Sequence, residues 1–99
     1  LIHIAQEAKR SGRIKAVVES GVLAALAHQL QGERQLAQET LLKVLTLAEP
    51  EGYLRTFVDE GEAIRQLLIE CATWLGLQPN TAQNHKLSLY IAKVVTAFH

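Results

Sequence analysis

Apolar residues recur along this chain at intervals of three and four positions, the spacing of amphipathic helices. The first stripe of this kind consists of Ile14, Val18, Val22 and Ala25. It predicts a helix over about residues 13–31, with Gly12 and Gly32 as breaks on either side. Gly21 lies inside this helix, where we expect a neighbouring helix to approach closely. Regular two-residue alternation, the sign of a strand, is missing from the sequence.

The rest of the chain continues the helical period. The further predicted helices cover residues 33–48, about 53–58, 62–75 and a last stretch that carries Leu87, Ile91, Val94 and Phe98 on one face. Pro50 stops the helix before it, because proline disfavours helical geometry in the preceding residue. Gly76 is expected to form a left-handed cap, and Asn80 with Gln83 resembles a capping box. These patterns predict an all-α fold of about five to six helices, arranged as antiparallel helical hairpins.

The hairpin at 13–48 resembles one tetratricopeptide (TPR) unit, in which two helices pack through small residues. The matching positions are Ala25 at the helix crossing, Gly32 at the turn, Ala37 facing the partner helix, and Leu41. The stretch Ala48–Gly61, A-E-P-E-G-Y-L-R-T-F-V-D-E-G, closely resembles a segment of the large ATP-binding regulators of the LuxR type, the family of the maltose-regulon activator. Residues 25–32 fit the A-L-A-x-x-x-x-G helix that precedes it there, and residues 90–98 resemble a segment shortly before the DNA-binding domain.

The resemblance implies a particular place in a multidomain protein. Such regulators have an N-terminal nucleotide-binding domain, a helical-repeat middle that receives the signal, and a C-terminal helix-turn-helix domain. The sequence contains neither a G-x-x-x-x-G-K-[ST] loop nor a recognisable helix-turn-helix, it begins at Leu1, and it has no methionine. We therefore expect residues 1–99 to be a single helical-repeat domain, a fragment of a larger regulator that receives a signal and couples it to the other domains. The alternative is a free-standing helical-repeat adaptor that binds a protein.

The charge and composition of the chain limit the classes of partner that we expect it to bind. Ten basic and ten acidic residues cancel, whereas a domain that holds DNA phosphates normally has a basic surplus, so we expect no direct nucleic-acid binding. The uninterrupted apolar stretches are far shorter than the ~20 residues of a membrane span. Cys71 is the only cysteine, which excludes an internal disulfide and fits the cytoplasm. The expected partners are other domains of the same regulator and an effector or protein.

No residues form a recognisable catalytic constellation. The four histidines are scattered without the i, i+4 spacing of a helical metal site, so we expect no metal and no cofactor. Cys71 lies in an apolar stripe and is interpreted as a core thiol. Asp59, Glu60 and Glu62 surround Gly61 and are interpreted as stabilising the following helix N-terminus rather than as an acid–base pair. The sequence therefore does not indicate an enzyme.

Binding is the expected activity. In the TPR register, the first helix of a pair lines a concave groove, which predicts a binding surface at Glu19, Val22, Leu26 and Gln29. The alternative is that these residues only pack on a neighbouring repeat. A structural joint is predicted at Pro50, Gly52 and Gly61. The chain has an apolar stripe at each end: Leu1, Ile2, Ile4, Ala5 and Ala8 at one, and Leu87, Ile91, Val94 and Phe98 at the other. Because so small a domain can cover only part of both stripes, we expect exposed apolar area near one end of the fold and self-association through it.

Overall fold

The computed structural model describes the backbone of residues 2–98 and the side chains of residues 12–98. Over this range the chain forms five α-helices: α1 (Ile2–Leu30), α2 (Arg34–Ala48), α3 (Arg55–Val58), α4 (Glu62–Gly76) and α5 (Ala82–Thr96). A short 3-10 turn covers Glu49–Glu51, and no β-strand occurs among these residues. The predicted all-α fold of antiparallel helical hairpins is confirmed, with two principal hairpins, α1–α2 and α4–α5.

Helix α1 is longer than the sequence predicted. It extends over 29 residues and passes through Gly12, which does not adopt a positive φ. A single glycine inside a helix costs only about 1 kcal/mol relative to alanine, so it does not end a helix without a further turn signal. The predicted break at Gly12 is therefore wrong. Gly32 does end the first helix of the hairpin, with φ +79°.

The two helices of the first hairpin approach closely at Gly21. A Cβ atom on this glycine would overlap Cγ2 of Val44 on α2, which confirms the predicted close approach. At the turn, the backbone N–H of Glu33 donates to the carbonyl oxygen of His28 over 2.9 Å. This bond closes the turn that makes α1 and α2 antiparallel neighbours.

The link between the hairpins bends at two glycines. Helix α2 ends at Ala48, as Pro50 predicted, and the 3-10 turn leads to Gly52 at φ +70°. One helical turn, α3, follows. Gly61, at φ +79° and ψ −156°, then starts α4. The latter backbone conformation is accessible to almost no residue except glycine.

The second hairpin differs from the sequence interpretation in its caps. Gly76 has no positive φ, and Leu77 ends α4 in the right-handed region, so the predicted left-handed cap is wrong. Thr81, in extended geometry, caps α5 by accepting a 3.1 Å hydrogen bond from the Asn84 backbone N–H. The predicted cap at Asn80 is therefore one residue too early, because the hydroxyl of Thr81 lies where the free N–H groups of the helix can reach it.

All five helices contribute to one hydrophobic core. Its buried members are Val18, Val22, Ala25, Ala37, Leu41, Val44, Leu45, Ala48, Phe57, Ile64, Leu67, Leu68, Cys71, Leu75, Leu87, Tyr90, Ile91 and Val94. Helix α4 packs on α2, where Arg34 forms a 2.7 Å salt bridge with Glu70. The α3 segment packs on α5, since the Phe57 ring meets the Tyr90 ring edge to face and the Tyr90 hydroxyl donates to the Tyr53 carbonyl oxygen.

The C-terminal stripe is covered by this packing. Leu87, Ile91 and Val94 are buried and Phe98 is partly buried, because α4 and α3 lie against that face. The predicted exposed apolar area therefore does not lie on this stripe. The N-terminal stripe, Leu1, Ile2, Ile4, Ala5 and Ala8, lies outside the residues whose side chains the structure describes. Self-association stays a prediction.

Candidate functional site

A cleft separates α1 from α3. Its walls consist of Lys15, Glu19 and Leu23 from α1, and Arg55, Thr56, Asp59 and Glu60 from α3 and the turn after it. The cleft has a volume of about 430 Å³. A second cavity of about 370 Å³ shares Lys15, Arg55 and Thr56 with it and extends the space to residues 52–54. We call this continuous groove the α1–α3 cleft.

The α1 wall follows from the helical period. Lys15, Glu19 and Leu23 are four positions apart, so they lie one above the other on one face of the helix. Val18 and Val22 are buried, which places the wall on the flank of the buried stripe. Leu23 is 57% exposed and supplies an apolar surface at one end of the wall.

The α3 wall is held by an aromatic anchor. Phe57 is fully buried and contacts the Tyr90 ring, with ring centroids 6.4 Å apart and an interplanar angle of 81°. Burial of this side chain leaves Arg55 and Thr56 on the side of the helix that faces α1. The Asp59 N–H donates to the Arg55 carbonyl oxygen over 2.8 Å, which continues the turn and brings Asp59 into the same wall.

The charges in the cleft are arranged by sign. Lys15 and Arg55 lie together at the end near residues 52–54, because both line the second cavity. Glu19, Asp59 and Glu60 line only the first cavity, so they lie toward the other end. The two basic residues therefore lie where the two cavities join, and the three acidic residues lie only along the first cavity. In the part of the chain whose side chains are described, none of these five forms a salt bridge.

Comparison with known proteins gives the family. Residues 1–73 match the family described as the MalT-like TPR region. The chain belongs to this family. The match includes every residue that lines the α1–α3 cleft, whereas α5 lies beyond it. Searches of curated proteins and of solved structures found no significant match.

The predicted groove of this MalT-like TPR region is only partly open. Glu19 lines the cleft, and Leu26 and Gln29 are half-buried. Val22 is 1% exposed and belongs to the core, so it does not line an open groove. It is four positions from Val18, and at 3.6 residues per turn it shares that residue's buried face. The structure does not bring the four predicted residues together on one open surface.

Sequence reasoning missed most of the cleft. Lys15 and Leu23 carried a usable signal, because each is four positions from Glu19. The α3 wall carried no such signal, since its position depends on how the second hairpin packs on the first. The predicted joint residues Pro50, Gly52 and Gly61 lie at the two ends of the segment that supplies this wall, and both glycines adopt positive φ.

The acidic residues around Gly61 have different surroundings. The Glu62 carboxylate accepts hydrogen bonds from Gln66 over 2.8 Å and from Arg65 over 3.0 Å within the first turns of α4. The Gln66 hydrogen bond, assisted by the charge of Arg65, lowers the pKa of Glu62. This arrangement agrees with its interpretation as a helix-stabilising residue. Asp59 and Glu60 instead line the cleft.

Cys71 is confirmed as a core thiol. It is fully buried, and its Sγ contacts the Gln38 carbonyl oxygen at 3.8 Å. Burial, together with the nearby charge of Glu70, raises the pKa of this thiol to about 12, so at neutral pH it is a thiol and not a nucleophilic thiolate. Among the described residues, no group of three His, Cys, Asp or Glu side chains could hold a metal ion. No helix in the same range is both long and apolar enough to span a membrane.

Proposed function

We propose that this MalT-like TPR region is the signal-receiving and coupling segment of a bacterial LuxR-type transcription regulator. An effector or protein partner binds in the α1–α3 cleft, and the regulator's other domains respond to that binding. The proposal is carried by one observation: five charged side chains line the cleft without forming salt bridges to one another. Such groups are available to a ligand without the cost of breaking an existing pair.

Coupling follows from where the two walls are attached. One wall belongs to α1, in the first hairpin, and the other to the segment bounded by Gly52 and Gly61. An occupant that contacts both walls favours one spacing between them, and differential binding of this kind shifts a conformational equilibrium. The α3 segment contacts α5 through the Phe57–Tyr90 ring pair, so a shift of this wall reaches the second hairpin.

The rest of the proposal concerns partners and place. With equal numbers of basic and acidic residues, this segment leaves DNA contacts to another domain. As part of a transcription regulator, and with Cys71 as its single cysteine, it acts in the cytoplasm. Titration with labelled duplex DNA at low salt, where electrostatic binding is strongest, is expected to show no tight complex. A tight, salt-sensitive complex would assign DNA binding to this segment itself and contradict the proposal.

The test compares two lysines in the intact regulator. Lys15→Glu reverses a charge in the cleft, and Lys43→Glu makes the same change at an exposed position on α2 outside it. We expect Lys15→Glu to alter the transcriptional response to the inducing signal, measured with a reporter at equal protein levels, and Lys43→Glu to leave it unchanged. Equal responses from both variants would show that the cleft does not receive the signal.

A further inference from the structure

Among the described residues, no salt bridge joins the two walls of the α1–α3 cleft. Lys15 lies on the side of Arg55, and Glu19 on the side of Asp59 and Glu60. Pairing within a wall is also weak, because in each wall the base precedes the acid by four residues, the less favourable order for an i, i+4 pair. These unpaired side chains can form ion pairs with a ligand that places a negative charge beside the two basic residues and a positive charge beside the acidic ones.

The spacing of that pattern is set by the helix. Lys15, Glu19 and Leu23 follow one another at intervals of four residues, which is about 6 Å along a helix axis. In an extended polypeptide, side chains on the same face are two residues apart, which is about 6.6 Å. One turn of α1 therefore matches one two-residue step of an extended segment.

We propose that the cleft binds an extended polypeptide segment with an acidic, a basic and an apolar side chain at positions i, i+2 and i+4, read in either chain direction. The acidic side chain meets Lys15 and Arg55, the basic one meets Glu19 and Asp59, and the apolar one covers the exposed Leu23. This inference rests on the proposed function, since it names the class of partner that the same cleft receives.

The length of the cleft fits this occupant. From Lys15 to Leu23 the helix advances about 12 Å, which corresponds to three or four extended residues. A single amino acid does not span all three contacts, whereas a five-residue segment does. Charge complementarity at two points and apolar contact at a third give the segment a defined register.

The binding test uses three synthetic peptides of one composition. Capped Glu-Gly-Lys-Gly-Leu has the proposed spacing, Glu-Lys-Gly-Gly-Leu places the charges next to each other, and Lys-Gly-Glu-Gly-Leu exchanges them. Each is titrated at low salt to millimolar concentration into the isotopically labelled 99-residue chain, and amide shifts are followed by NMR. We expect the first peptide to shift the amides of the cleft and to bind about tenfold more tightly than the other two. Equal affinities, or shifts confined to another surface, would overturn the inference.

A charge-reversal variant gives the matched experiment. With Lys15→Glu and Arg55→Glu together, both ends of the cleft are acidic, and the preference should change to Lys-Gly-Lys-Gly-Leu. Lys43→Glu is the control and should keep the original preference. If circular dichroism shows that the double variant does not fold, Lys15→Gln replaces it. This variant should weaken binding of Glu-Gly-Lys-Gly-Leu and leave binding of the other two peptides unchanged. An unchanged preference in the double variant, or unchanged binding of the first peptide to Lys15→Gln, would overturn the inference.

The inference and the proposed function can fail separately. If no peptide shifts the cleft while Lys15→Glu still alters regulation in the intact protein, the extended-segment inference is wrong and the cleft receives a different kind of ligand. If the peptides bind as expected while Lys15→Glu leaves regulation unchanged, the inference holds and the coupling function is wrong.

Discussion

Replacement of Gly21 by alanine tests whether the α1–α2 crossing is set by a missing side chain. Gly21 lies inside α1, where alanine would normally stabilise the helix by about 1 kcal/mol. The added Cβ, however, would overlap Cγ2 of Val44. Val44 is 5% exposed and β-branched, so its one favoured rotamer in a helix leaves it little freedom to turn away.

The two effects have opposite signs, and the steric effect is the larger. Forcing one extra methyl into a packed contact costs about 1–3 kcal/mol. After the gain in helix propensity is subtracted, Gly21→Ala should lower the free energy of unfolding by roughly 1 kcal/mol. Val44→Ala alone should lower it by about 2 kcal/mol, because it removes two buried methyl groups and leaves a cavity.

The assay is urea unfolding followed by circular dichroism for both single variants and the double variant. In the double variant the new methyl at position 21 fills part of the space left by Cγ2, so its loss should be about 1–2 kcal/mol smaller than the sum of the two single losses. Gly12→Ala is the matched control, since Gly12 lies in the same helix with no atom within 4 Å of the added Cβ. It should stabilise the chain by up to about 1 kcal/mol.

The reasoning would be refuted by two results. If Gly21→Ala stabilised the chain as Gly12→Ala does, then the close approach to Val44 would not exist in solution. If the losses of the single variants simply added in the double variant, the two positions would not be in contact.

Three further predictions concern the link and the core. Gly61→Val should lower the free energy of unfolding by about 1–3 kcal/mol, because φ +79° with ψ −156° is a glycine conformation. Gly52→Asn, at a left-handed position that asparagine tolerates, should change it much less, and equal melting temperatures of the two variants would contradict this reasoning. Tyr90→Phe should lower it by about 0.5–1.5 kcal/mol through loss of the hydrogen bond to Tyr53, and an unchanged urea midpoint would show that this bond contributes nothing. Burial raises the pKa of the Cys71 thiol from 9.0 to about 12, so the folded state holds its proton more tightly and the free energy of unfolding should fall as pH rises from about 9 to 12. The fall should be smaller in Cys71→Ala, and identical pH profiles of the two proteins would refute the raised pKa of this thiol.

Much of the fold could be predicted because an amphipathic helix can be recognised from the local spacing of its apolar residues. The stripe of Ile14, Val18 and Val22 identifies a buried face from spacing alone, and Pro50 marks the end of α2 through its own geometry. The boundaries that were wrong, at Gly12 and Gly76, depend on small differences in local free energy. A glycine there is compatible with helix or with a break, and the sequence pattern does not distinguish them.

The sequence by itself determined the all-α class, the helical hairpins and the likeness to the regulator family, because these follow from residue spacing and from contiguous motifs. Only the tertiary structure decided that Val22 belongs to the core and that Glu19 and Asp59 line the same cleft. Periodicity defines which side of one helix is buried, but it does not define which other segment lies against its flank. The α1–α3 cleft joins side chains that are some forty positions apart, and they meet only because the second hairpin packs on the first.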